Sequence, residues 1–323
     1  MPTVSVITPA YNVEPFIAET IESVQAQTLE DVELIVVDDG STDRTYDIAA
    51  EYARRDPRVR LVRQPNRGIS AARNHALRIA RGHVFAILDS DDVWLPRYLE
   101  RQLAILDAHP DVDIVTGNGW FRSGRLDGQL ARPSPDPRPV PTLARILEDE
   151  TAVFIMSVFR RRVYESIGGF DESLRTNEDY DFWIRAATAG HLFWRNDEPL
   201  GFYRRRNDSL SAGELRMIRG IIRVLQKNRP ALLHRSHEVA ILDAQLGRFE
   251  TDRIAAEARE AIEDRSFDRA ADCLAQLHRR RGGAALGVAR LMARWTPALL
   301  SRVYNMRRAR LETAADRQRA TAP

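Results

Sequence analysis

Apolar positions along the first two-thirds of the chain follow two alternating patterns. Short continuous runs at residues 3–8, 33–37, 59–62 and 85–88 read as strands. Between them, apolar residues recur at helical spacing. One helix is expected from about Glu14 to Thr28, with Phe16, Ile21 and Val24 on its apolar face. A second runs to Arg55 with Asp43 as its cap, and a third covers 71–80 with Ser70 as its cap. Strand, loop and helix repeated in this way predict an α/β fold, a doubly wound, mostly parallel, Rossmann-like sheet. Further on, the pattern predicts a helix through about Ala108, strands at 112–117 and 152–159, a helix opening at Asn177 and ending near Gly190, and closing strands at 192–194 and 200–203. Five prolines between Arg132 and Pro141 mark a surface loop. From Glu214 the chain reads as helical and rich in Ala and Arg, which places a domain boundary near residue 213. The expected organisation is residues 1–213, made of halves 1–117 and 118–213, then a helical region 214–323 whose tail is disordered from about 312.

The polar positions that interrupt these runs fall where chemistry is expected. A continuous apolar strand is stable when covered on both faces, and open α/β sheets bind ligands beyond the carboxyl ends of such strands. The run Phe85–Leu88 ends in Asp89-Ser90-Asp91-Asp92. Carboxylates packed this closely repel, and Mg²⁺ or Mn²⁺ shared with substrate phosphates would relieve the repulsion. The plain alternative is a solvated acidic turn. Asp38 and Asp39 end another strand and can accept bonds from a ribose hydroxyl or a base N–H; otherwise they cap a helix. Tyr11 follows the first strand and could stack on a base or simply pack its loop. Arg67 and Arg73 lie in sequence beside the acidic strand ends, where a diphosphate needs cations. Glu178-Asp179 opens a helix; a carboxylate there can take a proton from an attacking hydroxyl, or can merely stabilise the helix start. No glycine-rich phosphate loop follows any strand.

Composition narrows the class. The 323 residues are 44% apolar and 29% charged, as in a soluble globular protein. Lysine occurs once, at Lys227, so the positive charge is almost all arginine. Cys273 is the sole cysteine, which excludes a disulfide framework and a thiolate metal site. With neither a signal-peptide pattern nor an apolar window of about 18 residues, a cytoplasmic protein is expected. Its relation to the membrane stays open, because Cys273–Leu311 holds nine arginines and no acid. There Val288, Leu291, Met292, Trp295, Leu299, Val303 and Met306 fall near helical spacing, and Thr296-Pro297 divides them between two helices. Such a stretch can lie on an anionic inner-membrane surface or pack on the first domain. Nucleic acid is a poorer partner, since no aromatic-basic interleaving accompanies the arginines.

Six motifs occur in order: Pro9-Ala10-Tyr11-Asn12, Asp38–Asp43, Asn66–Asn74, Asp89-Ser90-Asp91-Asp92, Gly168-Gly169-Phe170-Asp171 and Glu178-Asp179-Tyr180-Asp181. Over residues 1–211 this series resembles the family-two inverting glycosyltransferases of GT-A fold. The resemblance implies transfer of a sugar from a nucleotide sugar, with a UDP-sugar as the expected donor. The acceptor would be a hydroxyl of a carbohydrate or lipid-linked saccharide, in cell-surface polysaccharide or glycolipid synthesis. It also implies site roles. Tyr11 and Asp39 contact base and ribose, and Asp38 supports that loop. Pro9, Asn66, Gly68 and Ser90 line the donor site, and Arg73 lies near the diphosphate. Asp89 contacts ribose or orders the metal site. Asp91 ligates Mn²⁺ or Mg²⁺, Asp179 is the general base, and Glu178 shapes the acceptor pocket. One departure stands out: Arg206 occupies a position where the family often has His, so a cation there could pair with the diphosphate directly. Two other readings remain: a sugar-1-phosphate nucleotidyltransferase, which should carry a basic glycine-rich loop after its first strand, and a catalytically silent nucleotide-sugar-binding scaffold, against which the retained Glu178-Asp179 argues.

Overall fold

The computed structural model describes residues 2–122, 126–138, 140–206 and 213–307. It divides into two compact units, 1–213 with 223–245, and 214–222 with 246–323. The tail expected to be disordered from about 312 lies outside the described residues, as do 123–125 and, within the proline-rich loop, 139.

The first unit opens with β1 (Val4–Ala10), α1 (Ile17–Gln25), β2 (Val32–Asp38), α2 (Thr45–Arg55), β3 (Val59–Arg63), α3 (Ile69–Ile79) and β4 (Val84–Ile87). Then follow β5 (Val93–Trp94), α4 (Tyr98–Ala108), β6 (Val112–Arg122), α5 (Leu143–Glu148), β7 (Ser157–Arg160), α6 (Arg161–Ile167), α7 (Glu178–Thr188) and β8 (Leu192–Arg204). The strands form one mixed sheet in the order β3-β2-β1-β4-β7-β6-β8-β5. The first four run parallel, and every residue of β1, β2 and β4 is buried, as continuous apolar strands require. β7 enters antiparallel between β4 and β6, and β5 closes the edge antiparallel to β8.

Several local expectations shift. The first helix starts at Ile17, after a turn in which the Phe16 N–H bonds Val13 O. Gly68, not Ser70, is the N-cap of α3: its carbonyl accepts the Ala72 N–H at 3.1 Å, while Ser70 is buried inside the first turn. Asp43 precedes the cap of α2, yet its carboxylate accepts the N–H groups of Thr45 (2.9 Å) and Glu14 (3.1 Å). The two closing strands are one 13-residue strand, and the strand expected at 152–159 covers only Ser157–Arg160. The proline-rich loop is anchored at two points: buried Arg132 donates to Ala152 O at 2.7 Å, and the Asp136 N–H donates to Asp197 Oδ2 at 3.1 Å.

Beyond β8 come α8 (Glu214–Asn228), a single 3₁₀ turn, and α9 (Ser236–Glu263), each contributing to both units. The second half of α8 carries the chain's one lysine. Lys227 Nζ lies 2.7 Å from both Asp171 and the fully buried Asp181, which also accepts from Arg185 and Asn228. Burial raises the Asp171 carboxyl, but the bond from Lys227 and those from Ser173 pull it down to about 2. Lys227→Met removes a cation from two carboxylates at once. It is expected to destabilise the fold by about 1–3 kcal/mol, read as a lower urea midpoint at unchanged slope.

The second unit continues with α10 (Phe267–Arg281), α11 (Ala284–Trp295) and α12 (residues 297–307) around a core that includes Ile254, Leu274, Leu277, Ala293 and Leu300. Thr296 separates the last two helices as the Thr-Pro step predicts: its N–H ends α11 on Met292 O, and its carbonyl accepts from Leu299 and Leu300. Among the described residues, no helix is long and apolar enough to cross a membrane.

Candidate active site

Strand register assembles the site. Ala10 pairs with Asp38 and Ile7 with Ile87. These registers bring the carboxyl ends of β1, β2 and β4 to one edge of the sheet, where Tyr11, Asp39 and the Asp89–Asp92 turn follow them in sequence. Pro9 lies buried in β1, and Tyr11 stands 47% exposed just beyond it. Asp39 is buried and organises its surroundings. Its Oδ1 accepts from Gln64 Nε2 (2.8 Å) and the Arg67 N–H (2.9 Å), and its Oδ2 accepts from the Gly68 N–H (2.8 Å). The loop bearing exposed Asn66 is thereby laid against the β2 end. Gly40 permits this approach: it sits at φ +77°, and a Cβ there would come within 2.9 Å of the Asn66 amide nitrogen. Asp38 pairs with Arg63 Nε at 3.1 Å and so supports the same loop.

Arg73 is the centre of the site's electrostatics. It is 1% exposed, with Nη2 2.6 Å from Asp89 Oδ1 and Nη1 2.6 Å from Glu178 Oε1, and its guanidinium lies 5.3 Å from the centre of the Phe170 ring. The arginine and the glutamate thus bind each other. Together they tie the end of β4 to the start of α7. Asp179 lies next to this pair and accepts the Tyr180 N–H at 2.8 Å. Burial first, then the Glu178 charge, raises its carboxyl to about 6 against the pull of Arg73. Asn74 locks the approach to α7, since its amide exchanges bonds with Phe170 N and O at 2.7 and 2.8 Å, and a Cβ on Gly169 would overlap it.

At the β4 end, Asp91 is also raised to about 6, by burial ahead of the Asp89 charge. Arg206 Nε stands 3.5 Å from Asp91 Oδ2, with its guanidinium 5.0 Å from the Phe16 ring centre. Asp92 and Ser90 are buried. Asp92 accepts the Arg204 N–H at 2.8 Å, while burial and its two acidic neighbours push its carboxyl well above the ordinary range. Asp92 and Arg204 are therefore structural partners of the acidic turn, and the Asp-Ser-Asp-Asp sequence alone gave no means to separate their roles. Among the described residues no group of three or more His, Cys, Asp or Glu converges on a cation position. The donors fit a hard cation that takes one carboxylate and completes its shell from phosphate and water; they do not form a protein cage.

A comparison with known proteins decides the family. The Glycosyl transferase family 2 model matches residues 5–168, half of the chain. The chain belongs to glycosyltransferase family 2. The chain is 36% identical over 221 residues to the uncharacterized glycosyltransferase EpsJ of Bacillus subtilis (strain 168), an alignment covering 65% of this chain and 63% of that one. The chain thus spans less than two-thirds of that relative's length. In fold it is similar to S. aureus TarS 1–349 in complex with UDP-GlcNAc, with a TM-score of 0.62, 20% identity, and coverage of 96% of this chain and 92% of that one. It is likewise similar to the mannosyltransferase PcManGT of Pyrobaculum calidifontis in complex with GDP-Man and Mn²⁺, with a TM-score of 0.59, 22% identity, and coverage of 97% and 86%. The chain has the GT-A fold.

Proposed function

We propose that this glycosyltransferase moves a sugar from a UDP-sugar to a hydroxyl of a carbohydrate or lipid-linked saccharide, with inversion at the anomeric carbon. The carrying observation is the Arg73 bridge, which couples Asp89 after β4 to Glu178 at the start of α7, next in sequence to Asp179. Asp179 takes the proton of the acceptor hydroxyl. The acceptor oxygen bonds the anomeric carbon as the bond from that carbon to the diphosphate oxygen breaks, and the diphosphate leaves with the electron pair. Tyr11 stacks on the base, and Asp39 holds the Asn66–Gly68 loop against base and ribose. Asp91 is the protein ligand for Mn²⁺ or Mg²⁺, which when bound would neutralise charge on the leaving diphosphate. Arg206 brings a permanent positive charge to the same carboxylate. Support for the donor class comes from TarS with UDP-GlcNAc; support for a divalent cation comes from the mannosyltransferase with Mn²⁺.

Calorimetry with UDP, with and without Mn²⁺, should show binding that the cation strengthens. A screen of nucleotide sugars for diphosphate release, with and without lipid-linked acceptors, should then identify the donor, and NMR of the product gives the anomeric outcome. No binding of UDP in Mn²⁺, or a product of retained configuration, would overturn the proposal.

A further inference from the structure

The described residues include eleven exposed large apolar side chains, and six of them crowd into one stretch: Val288, Leu291, Trp295, Leu299, Val303 and Met306. Trp295 is the most exposed, at 75%. The two helices that carry them are amphipathic in an unusual sense. On α11, Ala289, Met292 and Ala293 pack into the second unit's own core; on α12, Leu300 and Tyr304 do the same. At roughly 100° per residue, the exposed set centres about a third of a turn or more away from the core-facing set on each helix. Each helix therefore has a satisfied apolar face and a second, uncovered one.

The charges carried by the two helices themselves are of one sign. Arg290, Arg294, Arg302 and Arg307 are exposed on them, and no acid occurs between Cys273 and Leu311. Elsewhere in the same unit arginines are matched: Arg253 with Glu250 and Glu257, Arg259 with Glu214, Arg281 with Asp252. A second copy meeting through the same patch would set arginines against arginines with no acid to answer them. An apolar strip flanked by arginines matches an anionic bilayer surface, where the apolar side chains enter the headgroup boundary and the arginines meet lipid phosphates.

We infer that α11 and α12 form a docking surface for an anionic membrane, through Leu291, Trp295 and Leu299 as apolar anchors with Arg290, Arg294 and Arg302 beside them. This surface does not depend on the transfer chemistry proposed above. The full chain should sediment with phosphatidylcholine vesicles containing phosphatidylglycerol and remain in the supernatant with phosphatidylcholine alone. Raised salt should weaken the binding. The variant Leu291→Asn/Trp295→Ser/Leu299→Asn and the variant Arg290→Glu/Arg294→Glu/Arg302→Glu should each lower vesicle affinity by about tenfold or more. Both should keep UDP binding by calorimetry, which confirms that the fold is intact and keeps this test separate from that of the reaction. Wild-type protein that ignores anionic vesicles, or apolar and charge variants that bind like wild type, would overturn the inference. So would a wild-type dimer in light scattering that the apolar variant converts to monomer with no vesicle binding in either, since the face would then be a self-contact.

Discussion

Asp179→Asn is expected to lower the transfer rate by about 10²–10⁴-fold, the range associated with loss of a positioned proton acceptor. Asparagine keeps the shape and can still accept the Tyr180 N–H, so UDP affinity should be unchanged. The carboxyl must be ionised to act. Because burial and Glu178 raise it to about 6, the wild-type rate should fall as pH drops through about 6, and the residual rate of the Asn variant should fall less steeply, keeping only the part due to Asp91. Stability moves the opposite way. An acid whose folded value is raised above 3.8 gives the folded chain more bound protons between about 4 and 6. Its stabilising contribution is complete below the unfolded value and is lost as pH rises through about 6. The Asn variant should therefore melt higher than wild type at neutral pH while being nearly inactive. Kinetics at saturating donor and acceptor, together with melting curves across pH, test both halves; an unchanged rate would remove Asp179 from the chemistry.

Arg73→Met carries the second large effect, and it falls on the fold as well as the site. The guanidinium is buried and faces Asp89, Glu178 and, at longer range, Asp179. Removing it leaves those carboxylates uncompensated, which for a broken buried pair costs about 3–5 kcal/mol. Urea unfolding at neutral pH should show this loss. Arg73→Lys is the informative companion, because an ammonium retains the charge but cannot fork to two carboxylates. In that variant the bond to either Asp89 or Glu178 is lost, Asp179 feels a less fixed positive charge, and the acid limb of the rate profile should move to higher pH. If Arg73→Met were as stable as wild type, the bridge would not be holding β4 to α7.

The parallel half of the sheet was legible because its strands are continuous apolar runs ending in acids, and a buried strand leaves little choice of face or end. Legibility failed where tertiary contacts replace local signals. Asn196-Asp197-Glu198-Pro199 reads as a turn, yet β8 passes through it while shifting register on β6. Residues 152–156 are apolar enough for a strand, but the Phe154 N–H goes to Thr116 Oγ1 at 2.8 Å instead of a strand partner. Ser70 is a good capping residue by type; the positive φ of +92° at Gly68 fixes the helix start two residues earlier. The acids and arginines of the site were identifiable as a set, but their pairing was not. Arginine is abundant in this chain, so nothing local marks Arg73 as the one that is fully enclosed, or Lys227 as the clamp on Asp171 and Asp181.

That clamp has a practical corollary. With a single lysine in 323 residues, amine-directed reagents have one side chain to find, and its nitrogen is held by two carboxylates. Acylation there needs the ammonium to leave both partners and lose its proton. The rate at which Lys227 is labelled under native conditions is thus a clock for the local opening of the segment between Gly169 and α7, readable by mass spectrometry without engineering a probe.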